Sequence, residues 1–176
     1  MTARIGINGF GRMGRLGLRA GWGRDGIRFV QVNEVAADAA GSAHLLQFDS
    51  VHGTWPVVCS GEGDGMIVDG RSIGYSRNAA IGDTDWSGCD IVIEATGRHH
   101  KKPESLQAYF EQGVKKVVVA APTEGALNIV YGINHHLYDA AQHHLVTAAS
   151  CTTNCLAPVV KVMHEKIGIV HGCMTT

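Results

Sequence analysis

The chain has 176 residues, 45% of them hydrophobic and 18% charged, with 15 basic against 16 acidic side chains. That length supports one full core burying roughly 70% of the unfolded surface, and so even a charge balance predicts no nucleic acid and no membrane among its partners. No apolar run approaches the ~20 residues of a membrane span, the amino terminus enters a strand too soon for a signal peptide, and five irregularly spaced cysteines suit a reducing, cytoplasmic setting better than a disulfide scaffold.

Arg4–Asn8 reads as a short strand running into Gly9-Phe10-Gly11-Arg12-Met13-Gly14, a G-x-G-x-x-G, after which Leu16, Leu18 and Trp22 follow on a predicted helix. Gly9 permits the tight turn, Gly11 lets backbone approach a pyrophosphate, and Gly14 lets helix pack on strand. The helix N-terminus supplies donors and field for the anion. Alone, the motif is equally a tight turn with no ligand. The next strand, Ile27–Val32, ends in Asn33-Glu34, and Glu34 falls 20 residues beyond Gly14. An acid there can accept from the adenosine ribose hydroxyls and repel the extra phosphate of NADP. A solvated Glu at a strand end is the plainer alternative, but the order strand, glycine turn, helix, strand, acid predicts a site for NAD.

Ala36–Phe48 is helix-like, with Ala43, Leu46 and Leu45 expected to face inward, and Asp49–Gly53 is a polar turn. Val57–Ser60, Met66–Val68 and Ser72–Tyr75 are short strand candidates split by Gly/Asp turns, an antiparallel ribbon inserted in the main pattern. Cys89–Ala95 is a buried strand ended by Thr96-Gly97, where a doubly wound sheet would line its ligand crevice. A helix over Pro103–Gln112 has Pro in its first turn. Strands are expected at Lys115–Ala121, Ile129–Ile133 and Leu145–Ala148, then a helix to Lys166 and a last strand from Ile167. The alternation predicts an α/β fold with a doubly wound, mostly parallel, Rossmann-type sheet.

Between the Leu145–Ala148 strand and the following helix lies Ser150-Cys151-Thr152-Thr153-Asn154-Cys155. With Ser150 or Thr152 as N-cap, Cys151 falls at or just inside the helix start. Unpaired N–H groups and the positive end of the macrodipole there favour thiolate, the nucleophilic form. Cys155, one turn on, is expected to point into packing and stay inert. Most free cysteines are small buried hydrophobes, and that is the competing account of Cys151.

The hexapeptide resembles, without a substitution, the active-site signature of phosphorylating glyceraldehyde-3-phosphate dehydrogenases. The likeness extends over Ile7–Arg15, Phe48–Gly53, Glu94-Ala95-Thr96-Gly97 and Ala120-Ala121-Pro122. It implies that NAD is held by Gly9, Phe10, Gly11, Arg12, Met13 and Gly14, with Thr96 and Gly97 beside them. Glu34 stands where the family usually has Asp, Arg77 would lie near the adenine, and Ala120 replaces a frequent Ser or Thr, so one side-chain hydrogen bond is missing. Ser150, Cys151 and Thr152 would frame glyceraldehyde 3-phosphate. Cys151 would add to the aldehyde, hydride would pass to NAD, and inorganic phosphate would cleave the thioester. Wording over Ala43–Asp49 is similar to a branch associated with arsenate resistance, where arsenate replaces phosphate. The resemblance divides the chain into a dinucleotide-binding domain, 1–150, and the beginning of a catalytic domain, 151–176, of a parent that would be a homotetramer. The family's general base, a His, follows two residues after Met-Thr-Thr, so the chain reads as truncated before it, with an apolar helix face left bare.

Ten histidines raise a metal alternative. Adjacent pairs such as His99-His100, His135-His136 and His143-His144 point apart, however, and no H-x3-H or paired C-x-x-C supports zinc. Loop histidines and no metal are therefore expected. Lys101-Lys102 and Lys115-Lys116 are too short for a nucleic-acid patch. Two rivals to the dehydrogenase reading stand: a NAD-binding module without turnover, and a semialdehyde-type thiol enzyme taking a non-phosphorylated aldehyde. The intact hexapeptide counts against the second.

Overall fold

The central strand, β1 (Ala3–Asn8), is buried from Ile5 onward, as an apolar run must be when both sheet faces are covered. In the computed structural model, which describes residues 2–175, the chain continues through α1 (Arg12–Gly21), β2 (Ile27–Asn33), α2 (Ala39–Gln47) and a hairpin of β3 (Phe48–Asp49) and β4 (Gly53–Thr54). Next come β5 (Cys59–Glu62), β6 (Gly65–Val68), β7 (Arg71–Ser76) and β8 (Ile91–Glu94). A 3-10 turn at Pro103–Leu106 leads into α3 (Gln107–Glu111), then β9 (Lys116–Val119), β10 (Leu127–Asn128), β11 (Leu145–Thr147) and α4 (Cys151–Lys166).

Nine strands form one sheet in the order β10-β11-β9-β8-β1-β2-β7-β6-β5. Pairing is parallel from β10 to β7 and antiparallel only across β7–β6–β5. The expected mostly parallel α/β sheet is therefore borne out, and the antiparallel ribbon is fused to it, because β7 pairs with β2 through Gln31↔Gly74, Val32↔Tyr75 and Asn33↔Ser76. The chain leaves β1 toward β2 and returns to the opposite edge of β1 as β8, so strand order reverses between β1 and β8. Side chains alternate across the strands. Ile91 and Ile93 pack on a core with Ile7, Phe10, Leu18 and Leu46, whereas Val92 joins Trp86, Leu106, Tyr109 and Val117.

Several expected elements are corrected. Leu45 is exposed, since α2 turns only Ala39, Ser42, Ala43 and Leu46 inward. The strand expected at Ile129–Ile133 does not form, and the two-residue β10 ends just before it. Beyond it the Asn134 side chain takes the Val130 N–H at 2.7 Å, and Ile133 and Asn134 both turn back to Val130 O. No strand forms after Ile167, for residues 167–175 find no strand partner among the described residues. Cys155, expected in packing, is exposed. Helix α4 buries none of its residues, leaving Leu156, Val159, Val160 and Met163 in solvent. Pro158 lies inside it and removes the N–H that would bond the Asn154 carbonyl.

Candidate functional site

Three strands end in a polar residue just before their loops, and register sets these side by side: Asn8 is opposite Asn33 on one edge and Glu94 on the other. All three are buried, so their polar atoms must pair with one another. Asn33 Nδ2 donates to Asn8 Oδ1 at 2.8 Å, and Asn33 Oδ1 accepts from Ser76 Oγ and the Asn78 N–H. Asn8 Nδ2 donates to Glu94 Oε2 at 3.1 Å, and the same oxygen accepts from the Tyr109 hydroxyl. Glu94 Oε1 accepts the Thr96 N–H at 2.9 Å and the Thr96 hydroxyl. The carboxylate is thus met by neutral donors alone. Burial first, and then the neighbouring Glu94 charge, push the Tyr109 phenol far above its ordinary value, which keeps it a donor.

Above this row lies the glycine turn. Gly9 has φ of +87°, and a Cβ there would come 2.5 Å from Thr96 N, so the loops after β1 and β8 touch through a residue that only glycine suits. A Cβ on Gly14 would meet Gly9 O at 2.2 Å, which is the close helix–strand approach expected of it. Gly11 is different: a Cβ would find no atom within 4 Å beyond its chain neighbours, and Gly11 itself lines a crevice. No side chain caps α1 at Gly11, so its first-turn N–H groups remain available to an anion.

That crevice, about 200 Å³, is bounded by Gly9 and Gly11, by Asn33–Ala36 after β2, by Asn78-Ala79, and by Ala95, Thr96, Arg98 and His99. A second, about 180 Å³, adjoins it at Ala95 and Thr96 and is walled by Met13, Glu94, Gly97, His100 and Val119–Ala121. Together they cross the C-terminal ends of β2, β1, β8 and β9 at the reversal of strand order, where open α/β sheets take ligands. Glu34 clasps the first crevice: Oε2 accepts the Phe10 N–H at 2.7 Å and Oε1 the Ala36 N–H at 2.8 Å. Each oxygen keeps a lone pair for a hydroxyl. These residues fit a dinucleotide, with an acid at one end, open helix N–H groups at the centre and a more apolar chamber beyond.

The thiol turn is built separately. Ala149, buried, takes φ of +57°, a strained value for a residue with a Cβ. Its N–H bonds Thr147 Oγ1 at 3.1 Å, while Asn154 Nδ2 reaches back to Ala148 O at 2.7 Å and Ser150 O at 2.9 Å. Ser150 is the N-cap, its Oγ accepting the Thr153 N–H at 3.0 Å. Cys151 is therefore the first helical residue, and it is exposed.

The residues singled out by sequence thus separate into groups. Gly9, Gly11, Glu34 and Thr96 line the first crevice, and Met13, Thr96, Gly97 and Ala120 the second. Phe10 puts its ring in the core and its N–H on Glu34. Arg12 turns away toward Ser50 Oγ at 3.4 Å and Asp49 at 4.0 Å. Arg77 stays at the rim, bonded to Val35 O. Ser150, Cys151 and Thr152 line neither crevice; Thr152 borders an apolar hollow with Leu156, Val160 and Met174. Sequence reading missed the Asn8–Asn33–Glu94 row, although a polar residue closing each of three strands was a signal for it.

Comparison with known proteins agrees with this geometry. The family model described as "Glyceraldehyde 3-phosphate dehydrogenase, NAD binding domain" matches residues 3–102, and that of the C-terminal domain matches residues 150–176. "Glyceraldehyde-3-phosphate dehydrogenase 3" of Nostoc is 52% identical over the whole of this chain and 53% of its own length. The protein of the same name without the number, from Geobacillus stearothermophilus, is 44% identical over the whole chain and 53% of its length. A relative from Chlamydomonas reinhardtii named as cytosolic is 44% identical over 98% of this chain and 51% of its own length. The chain spans about half the length of these relatives.

Proposed function

Because this chain belongs to the glyceraldehyde-3-phosphate dehydrogenase family, we propose that it contributes the NAD site and the nucleophile for oxidation of glyceraldehyde 3-phosphate in the cytoplasm. The carrying observation is the paired crevice at the reversal of strand order, with Glu34 at one end and Ala120 at the other. In this reading residues 1–150 form the dinucleotide-binding domain, and 151–176 begin a catalytic domain that in the relatives continues further. The whole enzyme would be a homotetramer.

Gly9, Gly11 and the first turn of α1 hold the pyrophosphate, Glu34 the adenosine ribose, and Thr96, Gly97 and Ala120 the other half. Bound NAD supplies the hydride acceptor. Arg12 and Arg77 assist only from the margin, and Phe10 acts by anchoring the loop. Cys151 Sγ, at the positive end of α4, adds to the aldehyde carbon of glyceraldehyde 3-phosphate, framed by Ser150 and Thr152. Once that carbon has lost its hydride, the sulfur carries a thioester. Inorganic phosphate then bonds to the acyl carbon and the C–S bond breaks, returning the thiolate and releasing an acyl phosphate. Arsenate in place of phosphate would follow the same course.

One observation favours the second reading, a NAD-binding module without turnover: among the described residues no hydrogen bond joins Cys151 to a histidine. Purified protein given glyceraldehyde 3-phosphate, NAD and phosphate decides between them. NADH formation that is lost in Cys151→Ser supports the dehydrogenase. Saturable NAD binding without NADH favours the module, and the relative rates of NADH formation with phosphate and with arsenate rank the two acceptors.

A further inference from the structure

Among the described residues Glu94 is the only charged side chain that the fold buries, at 1% exposure. A carboxylate taken out of water normally keeps a cation beside it. Glu94 has none: the ion pairs of the described residues go to Asp49 and Asp90 instead. Its donors are Asn8 Nδ2, the Tyr109 hydroxyl, and the N–H and hydroxyl of Thr96, and all are neutral. These dipoles satisfy its lone pairs and leave a full negative charge in place.

What adjoins this charge is the second crevice, of whose wall Glu94 is a part. Met13, Thr96, Ala120 and Ala121 around it carry no charge, and His100 is the one other titratable group there. A cleft with low-dielectric walls and one sign of charge concentrates the field of that charge in its interior. Salt screens a buried group far less than an exposed one. The field therefore reaches a ligand in the crevice without any contact between the two.

Oxidised and reduced cofactor differ at one end by one charge. Hydride transfer brings a proton and two electrons to the nicotinamide ring and turns a cationic pyridinium into a neutral dihydropyridine. Ribose, pyrophosphate and adenosine are the same in both forms. We propose that Glu94 is a specificity-determining residue that makes the site select oxidised over reduced cofactor, by its field on the pyridinium and not by touching it. This rests on the second crevice taking the nicotinamide half of NAD. The field holds NAD and does nothing for NADH, so the product leaves more readily than the substrate. By the same factor it makes bound NAD a weaker hydride acceptor. Glu34 cannot supply this selection, since it stands in the first crevice, at the adenosine end, where the two forms are alike.

Calorimetric titrations of the purified protein with NAD, NADH and ADP-ribose test the proposal, for wild type, Glu94→Gln and Glu94→Asp. They are run at about pH 8, where an ordinary imidazole is neutral. Wild type is expected to bind NAD about tenfold tighter than NADH, the scale of discrimination that a charge pair held partly out of water supplies. Gln removes the charge and disturbs the donors around it, a disturbance that weakens both forms alike. The ratio of the two affinities is therefore the informative quantity. It should fall to near one in Glu94→Gln and stay close to wild type in Glu94→Asp, which keeps the charge. ADP-ribose, lacking the ring, should follow NADH in every variant. Equal or reversed affinities for NAD and NADH in wild type overturn the proposal whether or not a variant folds. A folded Gln variant with the wild-type ratio, or an Asp variant with the ratio of Gln, also overturns it. Failure of the wild-type protein to bind any of the three ligands would instead overturn the crevice reading beneath it.

Discussion

Glu94 and Tyr109 show how single residues set the geometry of the crevice floor. The Tyr109 hydroxyl bonds Glu94 and lies 2.6 Å from Asn8 Nδ2, so Tyr109→Phe leaves a buried acceptor short of a donor. A loss of about 1–3 kcal/mol is expected, read as a lower urea midpoint; an unchanged midpoint would show the row tolerates the gap. Glu34 clasps Phe10 and Ala36 while facing the crevice, and in the proposed function it also receives the adenosine ribose. Glu34→Ala should weaken NAD about tenfold and narrow the preference over NADP; equal titrations with both cofactors, unaltered from wild type, would contradict this. Away from the site, the Arg4 side chain at 3.1 Å and Lys115 Nζ at 2.8 Å hold the Asp90 carboxyl well below the usual carboxylate range. The folded state therefore binds that proton less tightly than the unfolded one, whose value is about 3.9. The stabilisation is present above that value and is lost as pH falls below it. The midpoint difference between wild type and Asp90→Asn should accordingly shrink as pH drops from about 5 to about 2, and a constant gap would refute the pairing.

Among the elements, α4 is where local signals and packing part company. Its start was legible: Ser150 caps it, Cys151 opens it and the helix runs to Lys166, because capping and helical periodicity are local. What α4 packs against was not, since apolar spacing says that a face wants covering and not that anything in these residues covers it. Cys155 was misjudged for that reason. Its exposure makes the chemistry easier to test, because Cys151, Cys155 and Cys173 are all open to reagent and access no longer separates them. Iodoacetate at neutral pH should label Cys151 about tenfold faster than the others, through the field at the helix start. Equal rates by peptide mass spectrometry would remove the case for an activated Cys151. Short edge strands were the other weak point. Nothing in Leu127–Ile133 tells that the Asn134 side chain will capture Val130 N–H and end β10 two residues after it begins.

For the molecule as a whole, the order of elements carried most of the fold. A glycine turn after β1, an acid after β2 and a buried strand at β8 are enough to place a crevice, because parallel crossovers leave few ways to arrange them. The division of that crevice into two chambers depends on register across strands far apart in sequence, which no local pattern encodes, and the row of Asn8, Asn33 and Glu94 beneath it left a signal only in the polar residue that closes each strand. In the proposed function one dinucleotide spans both chambers, and amide NMR of the labelled protein during NAD titration would reveal that span. Shifts should cluster at Gly9–Met13, Glu34–Ala36, Ala95–His100 and Ala120, on both sides of the boundary between β1 and β8. Shifts confined to one chamber, or placed elsewhere on the protein, would contradict it.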